Sequence, residues 1–279
     1  MKCFNFKRTL MLVCRDIASD PRRWRNYLIF IYLAYAIPAI YITQNVRFGD
    51  MVTMDSALQS SAATISVITA FLATISASLT FTSMNSKTKR INVLTLPATN
   101  LEKYVSMLLE YVVLFFIASP IMLLLADLTQ YVFFLVQGMD AGFLCPQVIE
   151  MTKLLTARDS AVFTMTEAAD YYWQIQSIML LAGLCRIATF VLGSAIFRRH
   201  AFILTALTFF VVLFGTIVFV LVPCGDYIFD RCRLIIDTDP GTFCAVIITL
   251  EVAWSAFCFW LSFRLFAGAK VITAKNIGF

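Results

Sequence analysis

Long apolar runs alternate with short polar segments along most of this chain. Six of the runs are long enough, or nearly so, to cross a hydrocarbon core about 30 Å thick as helices. They cover residues 27–43, 62–83, 104–126, 174–197, 201–223 and 243–266. A seventh run, 128–137, is too short to span and predicts a re-entrant or interfacial segment. The pattern predicts an all-α, polytopic membrane protein in which residues 27–279 form one six-span domain.

The segment before the first run, residues 1–26, predicts an amphipathic helix. Its apolar side chains recur at helical spacing, at Phe6, Leu10, Val13, Cys14 and Ile17. Charged residues lie off that face, which is typical of a helix lying in the interface of an anionic leaflet. Pro21 is expected to end this helix. An ordinary solvated basic tail is the alternative interpretation.

Composition excludes a water-soluble domain. Apolar residues occupy 60% of the 279 positions and charged residues only 14%, whereas soluble domains average about 45–50% and about 25%. The net charge of +5 matters less than its distribution. With the N-terminus inside, the inner segments hold 16 Lys and Arg residues and the outer segments 5. This positive-inside bias places both termini in the cytoplasm and explains the basic residues without a nucleic-acid partner.

The connection, which we define as residues 84–103, joins the second and third runs and is cytoplasmic in this topology. Basic residues cluster at its start, and Pro97 interrupts it. Thr99 and Glu102 have the spacing of a capping box, in which the hydroxyl and the carboxylate each accept a hydrogen bond from the other residue's backbone N–H. The sequence therefore predicts that a helix leaves the membrane, that the chain turns at Pro97, and that a new helix begins at Asn100.

Two charged residues fall inside predicted spans. Arg186 lies near the middle of the fourth span and Glu251 about a third of the way into the sixth. A lone charge at that depth costs about 2.5–3.5 kcal/mol or more, so each is expected to have a partner. The two side chains could pair and fix the packing of the two spans. Alternatively each faces a different polar pocket, or Arg186 reaches the interface.

Catalytic and cofactor motifs are missing from the sequence. There is neither a Walker motif nor a Gly-x-Gly-x-x-Gly pattern, and the single histidine, His200, has no neighbouring metal ligands. We therefore expect no enzymatic activity, no cofactor and no metal. Of the eight cysteines, Cys224 and Cys232 share an outer loop and could form a disulfide. Free thiols, or Cys145 as a partner, are the alternatives.

The segment 86–104, SKTKRINVLTLPATNLEKY, resembles a segment of small six-span permease-like proteins of Bacteroides-type bacteria. The shared pattern is Ser-Lys-x-x-Arg…Leu-x-Leu-Pro-Ala-Ser/Thr-Asn-x-Glu-Lys-Phe/Tyr. Those proteins are grouped with type-2 ABC transporter permeases. The opening Asn5-Phe6-Lys7-Arg8…Arg15-Asp16 and the closing Trp260-Leu261-Ser262-Phe263-Arg264-Leu265-Phe266 are also similar to that group.

The resemblance implies the permease subunit of an exporter in the bacterial inner membrane. Such a subunit pairs with a second permease as a homo- or heterodimer and is driven by a separate ATP-binding cassette subunit. A coupling helix between spans two and three would contact that ATPase. The residues implied for this contact are Ser86, Lys87, Arg90, Leu94, Leu96, Pro97, Thr99, Glu102 and Lys103.

One feature departs from the family pattern. The long outer segment, 127–173, precedes span four here, whereas the family exporters usually place their re-entrant outer helices between spans five and six. Two other functions therefore stay open. The chain could be a non-transporting membrane scaffold or assembly protein, or a proton-coupled carrier that uses Glu251.

Overall fold

The computed structural model describes residues 4–48, 54–84, 87–138, 142–149, 172–197, 200–216 and 240–268. These parts of the chain are almost entirely helical and contain no strand. The N-terminal half forms α1 (Phe6–Ser19), α2 (Pro21–Phe48), α3 (Met54–Ser78), α4 (Lys87–Leu94), α5 (Asn100–Leu108) and α6 (Leu114–Val136). A 3₁₀ turn, Thr82–Met84, follows α3, and a π-helical turn, Leu109–Val113, joins α5 to α6. The remaining helices are α7 (144–149), α8 (Tyr172–Ile196), α9 (Ala201–Thr216) and α10 (Pro240–Ala267).

Four helical stretches are long and apolar enough to cross a membrane. They are Ser60–Met84, Asn100–Val136, Gln176–Ile196 and Gly241–Ala267, and each contains most or all of a span predicted from the sequence. The chain is therefore a multi-pass membrane protein, and its described parts are helical. The first predicted span lies inside α2, which is not among the four. The fifth begins as α9, and its last residues lie outside the described ranges.

The predicted break after residue 126, with a separate segment at 128–137, is wrong. Helix α6 continues without interruption to Val136. Gly138 follows two residues later with a φ of +68°, a conformation that glycine adopts without strain. Asp127 lies within this helix, and its carboxylate binds backbone groups beyond the end of the helix. It accepts hydrogen bonds from the backbone N–H groups of Leu144 (2.7 Å) and Cys145 (2.9 Å).

Asp127 thus holds the start of α7 against α6. Its side chain is 3% exposed, and the Tyr131 and Phe143 rings stack beside it with centroids 4.4 Å apart. Burial, together with the Asp127 carboxylate, raises the pKa of Cys145 to about 12. The thiol is therefore neutral and a poor nucleophile for disulfide exchange. Cys224 and Cys232, the predicted disulfide pair, lie outside the described residues.

Helix α1 ends at Ser19 as the sequence predicts, but Pro21 also begins the next helix. Proline suits the first helical position because its missing N–H needs no partner there. The Asp20 carboxylate accepts a hydrogen bond from the backbone N–H of Arg23 (3.3 Å). The protein covers only Thr9 and Val13 of α1, while Phe6 and Leu10 are 60% and 50% exposed. The predicted apolar face is thus divided: Val13 packs against the protein, while Phe6 and Leu10 are left for the surroundings, as expected of an interfacial helix.

Contacts between tyrosines and small hydroxyl residues fix the relative directions of the helices. Tyr35, which is fully buried, hydrogen-bonds to Thr69 of α3 (3.1 Å) and Ser119 of α6 (2.6 Å). Tyr27 pairs with Ser76 at 2.6 Å. Higher residue numbers on α2 therefore meet lower numbers on α3, so these two helices run antiparallel.

The core is divided into two clusters. The first cluster surrounds Tyr35 and includes Leu144 of α7. The second, which we call the inner cluster, joins the ends of α3, α5, α8 and α10. Its buried members are Ala77, Phe81, Met84, Val93, Tyr104, Met107, Ile187, Val191 and Phe266. Because Val93 belongs to α4, the inner cluster also anchors the connection.

Candidate functional site at the connection

The capping box at the end of the connection forms as predicted. The Thr99 hydroxyl accepts from the backbone N–H of Glu102 at 3.2 Å, and the Glu102 carboxylate accepts from the N–H of Thr99 at 2.8 Å. Thr99 is the N-cap, so α5 begins at Asn100. The interaction needs only residues three positions apart, which is why the sequence was sufficient to predict it.

Glu102 also makes a long-range contact that the sequence does not indicate. Its second carboxylate oxygen accepts a hydrogen bond from the backbone N–H of Asn5 at 2.9 Å. The Asn5 side chain in turn accepts from the N–H of Lys7 and so caps α1. Glu102 is 0% exposed. One buried carboxylate therefore ties the first turn of α5 to the first turn of α1.

We expect Glu102→Ala to release the start of α1 from α5. Two backbone N–H groups, on Asn5 and Thr99, lose their acceptor, and hydrogen bonds to charged acceptors are among the stronger ones. Hydrogen exchange of these two amides, followed by mass spectrometry, should become about tenfold faster or more. Glu102→Gln keeps one acceptor oxygen and should give an intermediate rate. Leu101→Ala, at the exposed neighbouring residue, is the control. If the two amides exchange as slowly in Glu102→Ala as in this control, the assignment is wrong.

The connection is anchored on its inner side. Val93 is 7% exposed within the inner cluster, and the Arg90 guanidinium donates to the carbonyl of Met84 at 3.3 Å. Tyr104, just after the connection, contacts three aromatic rings and reaches α10, where its hydroxyl lies 2.6 Å from the Ser262 hydroxyl. A displacement of the connection would therefore act on α3, α5 and α10 together.

The outer side of the connection is exposed and partly apolar. Ile91 and Leu101 are 43% and 44% exposed, and Pro97 is also exposed. Asn92, Thr95 and Asn100 supply polar groups around them. A single exposed apolar side chain is ordinary, but here three lie on one short segment that Val93 and Glu102 attach to the bundle. This arrangement suits a contact surface for another protein.

Only some of the residues that the resemblance implies for ATPase contact are exposed. Glu102 and Lys103 are buried, at 0% and 4% exposure, and Arg90 and Thr99 make internal hydrogen bonds. Among the others, Pro97 is exposed and Leu96 is half-buried. Ser86 and the side chains of Lys87 and Leu94 lie outside the described part of the chain. Among the described side chains of the connection, the exposed large apolar ones are Ile91 and Leu101. The sequence does not single them out because it does not reveal which face is covered.

Arg186 and Glu251 do not pair. Arg186 is exposed, and no ion pair joins its guanidinium to Glu251. The residue that faces α10 is Cys185, whose thiol donates to the carbonyl of Glu251 at 3.0 Å and lies 3.1 Å from the Ser255 hydroxyl. Successive residues of a helix point about 100° apart, so Arg186 is turned away from that contact. One carboxylate oxygen of Glu251 is buried and has no hydrogen-bond partner in the part of the chain that the structure describes.

Comparison with known proteins identifies no relative. The chain matches no family model, and no curated protein or solved structure shows significant similarity to it. Within the described ranges, no group of three or more His, Cys, Asp or Glu side chains could hold a metal ion. The geometry of the connection is therefore the main indication of function: a segment buried on one side, exposed on the other, and joined to several long apolar helices.

Proposed function

We propose that this chain is the membrane-spanning permease subunit of an ABC-type exporter in a bacterial inner membrane. A separate ATP-binding cassette subunit would hydrolyse ATP, and two permease chains, identical or different, would form the transport unit. The observation that supports this proposal is the two-sided nature of the connection. It presents Ile91 and Leu101 outward while Val93 anchors it in the inner cluster.

A coupling element needs a rigid link to the helices that it moves. Val93 links the connection to α3 and α8 through the inner cluster, Tyr104 links it to α10, and Glu102 links it to α1. Packed interiors transmit displacement because they have few voids to absorb it. Closure of the ATPases against the connection would then tilt α3 and α5. The lack of a Walker motif in this sequence fits a subunit that relies on a partner for ATP.

A coupling element also needs an exposed surface that a partner can cover. We expect Ile91→Asp and Leu101→Asp each to weaken copurification of a Walker-containing ATPase by about tenfold or more, since buried apolar anchors dominate protein interfaces. The measurement is affinity purification of the full-length chain from its native membrane in mild detergent. Both side chains are already exposed, and Asp near the start of α5 favours the helix, so folding should be retained.

Asn100→Asp is the matched control, because it adds the same charge beside Leu101 at an exposed position and removes no apolar contact. Loss of the ATPase in the two apolar variants but not in the control supports the proposal. If the parent protein brings down no ATPase under gentle extraction, the assignment to ABC permeases is wrong and the chain is better regarded as a membrane scaffold.

One observation favours a second candidate, a proton-coupled carrier. A buried carboxylate oxygen without a partner, as found in Glu251, is costly unless the group is protonated or binds a ligand. Glu251→Gln should then abolish transport of the still unidentified substrate without lowering the melting temperature. An ABC permease should instead retain ATP-dependent transport in this variant.

A further inference from the structure

A polar cavity lies beside the connection, where α1 meets α2. Its volume is about 530 Å³, and α4 and the π-helical turn complete its wall. The charged residues that line it are Arg15, Asp16, Asp20, Arg23 and Glu110. Two of the carboxylates already have partners within the protein. Asp16 forms an ion pair with Arg15 at 2.7 Å, and Asp20 caps α2 by accepting from the N–H of Arg23.

Glu110 has no such partner. It is 5% exposed, and among the described residues no hydrogen bond or ion pair reaches its carboxylate. Glu110 belongs to the π-helical turn Leu109–Val113, and π-turns occur often at functional sites. A buried, unpaired carboxylate is costly. A cationic group of a ligand, entering the cavity that Glu110 lines, would satisfy it.

A smaller cleft of about 210 Å³ adjoins this cavity, and Arg23 lines both. Three side chains at the cleft carry buried hydrogen-bonding atoms that have no partner among the described residues: Nη2 of Arg23, Nε1 of Trp24 and the Tyr111 hydroxyl. Trp24 and Tyr111 are 7% and 3% exposed, and the Arg23 guanidinium lies 5.1 Å from the centre of the Tyr111 ring. A cation with two neutral donors is a typical set for a phosphate group.

No ion pair joins Arg23 to Glu110. The site therefore keeps a positive and a negative group apart, and among the described residues neither has a counterion within ion-pair distance. We infer that the cavity and the cleft bind a phosphoethanolamine group, with its phosphate at Arg23, Trp24 and Tyr111 and its ammonium at Glu110. A ligand with only one of these charges would leave the other protein group unsatisfied.

The surroundings suit the headgroup of a zwitterionic lipid. An apolar groove of about 640 Å³ runs between α2 and α6, and Trp24 lines both this groove and the smaller cleft. An acyl chain in the groove would continue from a headgroup at Arg23. Trp and Tyr side chains favour the level of lipid headgroups, and α1 beside the site leaves Phe6 and Leu10 exposed as an interfacial helix does. This inference does not depend on an ATPase partner.

The test measures binding to the full-length, detergent-purified chain by native mass spectrometry and by thermal shift. The probes are phosphatidylethanolamine, phosphatidylglycerol, which lacks an amine, and free phosphoethanolamine. We expect phosphatidylethanolamine to bind at least tenfold more tightly than phosphatidylglycerol. Arg23→Gln and Glu110→Gln should each weaken that binding by about tenfold or more, since both remove a hydrogen bond to a charged group. Arg22→Gln, which changes the same charge at an exposed neighbour, should have no effect.

A second readout separates a binding role from a structural one. Because Glu110 is unpaired, Glu110→Gln should leave the lipid-free protein as stable as the parent or more stable, while the stabilisation by phosphatidylethanolamine disappears. Binding of free phosphoethanolamine with the same dependence on both variants would support the site and identify a soluble ligand. Equal binding of the two lipids, or no effect of either variant relative to Arg22→Gln, would overturn the inference.

Discussion

Replacing Tyr104 by alanine is expected to lower the free energy of unfolding by about 3–5 kcal/mol, the cost typical of deleting a buried aromatic ring. Tyr104 is 5% exposed, and its ring centroid lies 5.3 Å from that of Phe263 and 5.9 Å from that of Phe81. These contacts join α3, α5 and α10. The loss should appear in chemical or thermal unfolding in detergent, and the inner cluster should loosen around the cavity that remains.

Tyr104→Phe separates the ring from the hydroxyl. The hydroxyl lies 2.6 Å from the Ser262 hydroxyl and 3.2 Å from the Phe259 carbonyl, so its removal should cost about 1 kcal/mol. The exposed Trp173 provides the control, since Trp173→Ala deletes an aromatic ring that is 74% exposed. Equal stability losses in Tyr104→Ala and Trp173→Ala would show that Tyr104 does not join the three helices.

Gly193→Ala is expected to destabilise the protein by about 1–3 kcal/mol through overpacking between α8 and α9. A Cβ at position 193 would lie 1.9 Å from Oγ1 and 2.5 Å from Cγ2 of Thr205. The Thr205 side chain is stiff at χ1 and cannot swing aside easily. The two helices would have to move apart at the end where residues 197–200 connect them. Thermal unfolding of the purified protein measures the effect.

Gly183 on the same helix is the matched control. A Cβ there meets no atom within 4 Å, so Gly183→Ala should be neutral or slightly stabilising because alanine favours helix. Adding Thr205→Ala to Gly193→Ala should recover part of the loss, since it removes the two closest atoms and leaves Cβ at 2.7 Å. If the alanines at 183 and 193 are tolerated equally, α8 and α9 do not pack as closely as described.

The sequence by itself determined the features that depend on neighbouring positions. It gave the all-helical membrane class from the apolar runs, because a span is defined by about 20 consecutive residues. It also located the end of α1 before Pro21 and the capping box of Thr99 and Glu102, because both involve residues at most four positions apart. Even here the local signal had a limit, since the runs 104–126 and 128–137 were predicted to be separate segments and instead lie on one continuous helix.

Only the tertiary structure decided which side chains face each other across the bundle. Glu102 contacts Asn5, 97 positions away, and Arg186 forms no ion pair with Glu251 although both lie inside predicted spans. These outcomes depend on the rotation of each helix about its axis, and a rotation of 100° separates one residue from the next. Packing of the whole inner cluster fixes that rotation. For the same reason, the presence of both Glu110 and Arg23 in the wall of one cavity could not be read from their order in the chain.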